Sequence, residues 1–131
     1  MSSDTSRSEA RSVALEFLYE AGVREASALA LFGESSGEDE FVMSLLQSVE
    51  INQGKALQLI EETLVDGWAL DRLPVIDAEI LKLGVAELID GDVPEGVVLS
   101  EAAKLASSYS TESSAQFVNG VLAGVAEKLT S

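Results

Sequence analysis

The chain has 131 residues, with 23 acidic side chains against eight basic ones and a net charge of −15 at neutral pH. It contains no cysteine and no histidine, which excludes disulfides, thiolate nucleophiles, thiolate metal sites and the usual imidazole base or ligand. Such acidity repels nucleic acid on average, because phosphate affinity comes from cationic side chains that release counterions, and only a local basic cluster reverses it.

The length suits one domain spanning residues 1–131, and no linker composition divides it. No apolar run is long enough for a membrane helix, and Met1 to Ser6 lack the charged-then-apolar order of a signal peptide. A soluble cytoplasmic protein with no membrane partner is therefore expected.

A flexible tail is expected over about residues 1–5. Ser6 and Glu9 have capping-box spacing, and Ala10, Val13, Ala14, Phe17, Leu18 and Ala21 form an apolar face, so the first helix is predicted to end near Gly22. Glu9, Glu16 and Glu20 make an acidic stripe, while Arg7 and Arg11 lie one turn apart on the opposite flank of the apolar face. Cations in a first helical turn oppose the helix dipole, which is poor for stability but suited to holding a phosphate. Two exposed arginines without a ligand are the plainer reading.

Ala26 to Phe32 suggest a short helix, and residues 33–37 a loop punctuated by glycine and serine. Glu38, Asp39 and Glu40 open a longer helix that buries Phe41, Val42, Leu45, Leu46 and Val49. Residues 52–54 kink or break it, and Ala56, Leu57, Leu59, Ile60, Leu64 and Val65 continue helical spacing toward Gly67. Asp71 to Pro74 form a turn into a helix with proline at its first position, whose apolar face is Ile76, Ile80, Leu83, Gly84 and Leu88. The loop from Asp90 to Gly96 has two acids but lacks the ligand spacing of a calcium loop. A sixth helix runs to Tyr109. Ser110 or Thr111 caps a last helix ending near Lys128, with Phe117, Val118, Val121, Leu122, Val125 and Leu129 on one side. Gly120 and Gly124 sit beside that stripe, and each mid-helix glycine costs about 1 kcal/mol against alanine, so close approach of another backbone is expected there. With no alternating strand pattern, the fold class is all-α, a compact single-domain bundle of five to seven helices.

The chain has no phosphate-cradling glycine loop, no HExxH and no GxSxG. Adjacent acids such as Glu61-Glu62 and Asp39-Glu40 diverge on a helix and do not form an acid–base pair. A non-enzymatic binding protein without cofactor or metal is expected.

The run from Trp68 to Gly84, together with Asp92-Val93-Pro94 and Phe117-Val118-Asn119-Gly120-Val121-Leu122, resembles the NusB family of bacterial transcription antitermination factors. The similarity extends from about Arg7 to Leu129. It implies a helical bundle that joins the ribosomal protein NusE, binds the boxA element of nascent RNA and, through these, acts indirectly on the RNA polymerase elongation complex. By position, Tyr19, Asp71 and Asp77 match residues that meet NusE. Arg7, Arg11 and Phe117 match the RNA side. Each also has a structural reading: Tyr19 as a partly packed aromatic, Asp71 and Asp77 as capping or solvated acids, Phe117 as a core residue. Several family cations or polar residues are absent. Ser8 and Glu9 stand where further basic residues are frequent, Ser100 and Ser107 replace the asparagine and lysine often found in helix six, Gln116 replaces a lysine or arginine, and Ala123 an aspartate. Each lost phosphate contact weakens binding. The alternative is therefore a NusB-fold protein-interaction module, or a homodimer covering the old site, that has lost RNA binding. An accessory domain like that of RNA methyltransferases is a third reading, against which the lack of a methyltransferase domain in these 131 residues counts.

Overall fold

The computed structural model describes residues 3–35, 39–64 and 69–130, which form seven α-helices and one 3-10 turn. The helices are α1 (Ser3–Arg24), α2 (Ala28–Glu34), α3 (Glu40–Ile51), α4 (Gln53–Thr63), α5 (Val75–Asp90), α6 (Glu95–Tyr109) and α7 (Glu112–Thr130), with the 3-10 turn at Leu70–Arg72. Among the described residues there is no strand, and no helix is long and apolar enough to cross a membrane. Gly37, Glu38, Val65, Gly67 and Trp68, which the sequence reading used, lie outside the described residues.

Helix α5 is the axis of the bundle. It packs against α1, α3, α4, α6 and α7, and Ile80, Leu81, Leu83, Val85 and Ala86 point in several directions around it, all buried. A helix apolar all round belongs in a core rather than on a surface. The cover comes from Ala14, Leu15 and Leu18 of α1, Val42 and Leu46 of α3, Ile60 of α4, Ala106 of α6, and Val118, Leu122 and Val125 of α7. Phe17 and Phe32 fasten α2 to α1 edge to face, with ring centroids 5.4 Å apart.

The helix ends follow local chemistry, with four differences from the sequence reading. Helix α1 already runs from Ser3, so Ser6 is not its cap; nothing between Ser3 and Ser6 is a helix breaker. It also continues past Gly22 to Arg24. The turn is closed by Glu25 at φ 55° with Ala26 N–H donating to Ala21 O, so a left-handed glutamate does what glycine was expected to do. Pro74 sits at the N-cap of α5 rather than inside its first turn. Asn52 alone separates α3 from α4, where its side chain donates to Ser48 O and Asp90 Oδ1. Elsewhere Asp39 caps α3 through Oδ1, which accepts from the Phe41 and Val42 N–H groups, and Thr111 caps α7 by accepting from Ser114 N–H.

The glycines divide by environment. A methyl on Gly84 would stand 2.7 Å from Leu122 Cδ1, and one on Gly124 would stand 2.7 Å from Thr63 Cγ2, so both permit close helix packing. Gly120 is exposed with open space around it, and the expected close approach is not found there. Gly84→Ala should therefore destabilise the fold by about 1–2 kcal/mol despite its better helix propensity, because Leu122 is fully buried and has little room to yield. Gly120→Ala should instead stabilise it by about 0.5–1 kcal/mol. Urea denaturation of the two variants checks both signs.

Candidate nucleic-acid interface and partner groove

The first two arginines of α1, Arg7 and Arg11, take different environments. Arg11 is turned inward and is only 3% exposed, so the expectation of an exposed pair is corrected. Its guanidinium grips Glu87 of α5 through two bonds, Nε to Oε2 at 2.9 Å and Nη2 to Oε1 at 2.8 Å, and donates from Nη1 to Glu101 Oε1 of α6 at 3.2 Å. Glu101 also accepts from Ser8 Oγ and, at 2.9 Å, from Lys104 Nζ. Burial opposes the charge on Arg11, but the two carboxylates outweigh it and hold its pKa above the usual arginine value. Burial would likewise raise the Glu101 carboxyl, yet the hydrogen bonds from Ser8 and Lys104 and the nearby cations bring it below its ordinary value.

Arg7 stays in water. Its guanidinium lies 5.0 Å from the centre of the Phe41 ring, and that of Arg11 lies 5.5 Å from the same ring. Among the described residues no carboxylate forms an ion pair with Arg7. Together with Ser8, Pro94, Gly96, Ser100 and Lys104 it lines a groove of about 610 Å³ between α1 and the start of α6. The helix start adds partial positive charge at one wall. Lys104 pairs with Glu101, but its side chain is 68% exposed, so its ammonium can also reach an anion in the groove. Phe117 does not line this groove; it is half-buried and packs on the core from α7. Lys104 is a further cation of this groove, and the signal for it in the sequence is its place three residues after Glu101, one helical turn away.

A second surface lies across α1, α5 and α6. Tyr19, 44% exposed, borders an apolar depression with Glu16, Ile76 and Tyr109. Tyr109 donates its hydroxyl to Glu16 Oε2 at 2.7 Å, and burial and the Glu16 carboxylate raise the phenol's pKa. Val23 and Val75 are exposed nearby in sequence on the same two helices, α1 and α5. Asp77 is not a surface acid: it is 4% exposed, its Oδ2 accepts from Ser114 Oγ, and its Oδ1 has no partner among the described residues. Asp71 is exposed on the 3-10 turn and lines a different groove, with Leu70, Val75 and Lys82. The three residues expected to meet a partner therefore do not form one cluster. Tyr109 and Glu16 were missing from that set, and only the i, i+3 spacing of Glu16 and Tyr19 hinted at the groove. Among the described residues no group of acids could hold a metal ion, and Asp90 of the acidic loop is bonded to Ser48 and Asn52.

The model of the NusB family matches residues 8–127. The chain belongs to the NusB family. It is 40% identical over 125 residues to the transcription antitermination protein NusB of Acidothermus cellulolyticus, covering 91% of this chain and 86% of that one. Its fold is similar to that of T. maritima NusB, with a TM-score of 0.82 at 27% identity over 93% of this chain and 91% of the other. It is similar too, with a TM-score of 0.79 at 27% identity over 93% and 96% of the two chains, to a crystal structure of the antitermination factors NusB and NusE in complex with double-stranded RNA. Family membership accounts for the all-helical bundle and for the position of the Phe-Val-Asn-Gly-Val-Leu run on α7.

The ionic network gives a stability test. Arg11→Ala should lower the unfolding free energy by about 3–5 kcal/mol, because Glu87 is left charged and buried. Glu101→Gln should cost about 1–3 kcal/mol. Since the folded pKa of Glu101 is lowered, its contribution is complete above the ordinary glutamate value of about 4.3 and is lost as pH falls through the lower folded value. Urea midpoints measured from pH 7 down to pH 3 should fall less steeply in Glu101→Gln than in the parent.

Proposed function

We infer that this chain works as a NusB-type transcription antitermination factor, a non-enzymatic cytoplasmic adaptor that binds boxA RNA together with the ribosomal protein NusE. The observation that carries the RNA half is the groove where Arg7 and Lys104 face solvent beside the start of α6, in a chain that is otherwise acidic. Arg7 and Lys104 hold phosphates there, and Arg11 anchors the helix that carries Arg7. The apolar depression at Tyr19, Ile76 and Tyr109 takes NusE, its two tyrosines and one isoleucine supplying the anchors. Shared binding raises the effective concentration of RNA at the weakly basic groove, which offsets the repulsion of the remaining chain.

The alternative, a protein-interaction module without RNA binding, draws support from the neutralisation of Arg11 by Glu87 and Glu101. Fluorescence anisotropy of a labelled boxA RNA, titrated with the chain alone and with NusE at several salt concentrations, separates the two. The antitermination reading expects salt-sensitive, sequence-selective binding that tightens with NusE. Arg7→Ala and Lys104→Ala should each reduce the slope of log affinity against log salt by about 0.7, one phosphate contact on a single strand. Tyr19→Ala should weaken NusE binding about tenfold or more without changing that slope. NusE binding without any RNA binding would establish the alternative.

A further inference from the structure

We propose that Phe41 is a positioning residue for RNA binding, a neutral aromatic support that aims Arg7 into the groove without cancelling its charge. The proposal rests on the RNA reading of that groove. Phe41 stands in the first turn of α3, where its N–H donates to the capping Asp39 carboxylate at 2.9 Å, and its half-buried side chain packs against the core. The ring is therefore held from beneath and from its own helix end. It receives two guanidinium groups of α1, Arg7 at 5.0 Å and Arg11 at 5.5 Å. Arg11 is fixed by Glu87 and Glu101 and cannot leave, so the ring has a rigid neighbour on the Arg11 side. Among the described residues Arg7 has the ring and no ion pair.

The choice of an aromatic support has a physical reason in this chain. An arginine is kept in one orientation by a carboxylate or by a ring face. A carboxylate neutralises it, as Glu87 and Glu101 do for Arg11. A ring face attracts the cation through its quadrupole and adds no charge, so the guanidinium keeps its full attraction for a phosphate. With a net charge of −15 and few cations available to RNA, retaining that unit of charge matters more than a stronger hold. An arginine already ordered on the ring also loses less rotamer freedom when it meets a phosphate.

The test is a double-mutant cycle between Phe41→Leu and Arg7→Ala, read as boxA RNA affinity in the presence of NusE across a salt series. Phe41→Leu alone should weaken RNA binding roughly two- to fivefold, the worth of an exposed cation–aromatic contact, with the salt slope unchanged because no cation is removed. In the Arg7→Ala background the same substitution should have no effect, and Phe41→Tyr, which keeps the ring, should bind as the parent does. NusE affinity and the thermal midpoint are measured on each variant, with RNA binding read well below the lowest midpoint. An equal loss in both backgrounds, or parent-like affinity for Phe41→Leu, would overturn the positioning role while leaving the groove as the RNA site. Absence of RNA binding by the parent protein would remove the functional reading itself, and the proposal with it.

Discussion

The contact on which the rest of the molecule depends is the buried grip of Arg11 on Glu87 and Glu101. It ties the first half of α1 to the central helix and to α6 at once. Taking these charges out of water is unfavourable, and the network persists because the guanidinium meets the Glu87 carboxylate through two bonds and Glu101 accepts from Ser8 and Arg11 on Oε1 and from Lys104 on Oε2. Apolar packing places α1 against α5, as Ala14, Leu15 and Leu18 attest. The ionic contact adds direction, since an oriented pair tolerates less sliding than methyl groups do. The groove beside α6 has its shape because of that register.

The same network bears on the conflict between net charge and the proposed RNA ligand. Within it, Arg11 and Lys104 are balanced by Glu87 and Glu101, so the cluster as a whole is close to neutral. The excess at the site comes from Arg7, set on an aromatic ring rather than an acid, and from the Lys104 tip in water. A strongly acidic surface elsewhere then discourages indiscriminate contact with nucleic acid, and in the proposed function it leaves binding to a short basic edge and a partner. More basic residues near the start of α1 would widen that edge. This chain has Ser8, which serves Glu101, and Glu9 instead.

The proposed partner surface obeys different physics. Tyr19, Ile76 and Tyr109 present amphipathic rings and an aliphatic side chain around a shallow depression, the kind of surface that gains most by losing water. Asp77, next to Ile76 in sequence, is held on one oxygen by Ser114, and its other oxygen has no partner among the described residues. A buried carboxylate left half-satisfied is unfavourable in the isolated fold. The two surfaces share α1, whose successive faces carry Arg7, Arg11 and Tyr19, so helix orientation sets both.

Much of this was determined by the sequence alone. The 3.6-residue periodicity of apolar side chains predicted an all-helical bundle, the capping residues Asp39 and Thr111 stood where helices start, and the Trp68 to Gly84 and Phe117 to Leu122 runs carried the family resemblance. Periodicity is a local property, and local spacing is enough to say which face of a helix is apolar. It is not enough to say what a polar residue on the flank will meet. Arg7 and Arg11 are equivalent in sequence, one turn apart, yet Glu87 and Glu101, 76 and 90 residues from Arg11, draw one inward, while Phe41 holds the other in water. Asp77 looked like a surface acid at a helix start until α7 covered it with Ser114. Gly84 and Gly120 read alike as mid-helix glycines, and only packing set one against Leu122 and left the other in open space. Those differences arise from contacts between residues far apart in the chain, which exist only once the helices have assembled.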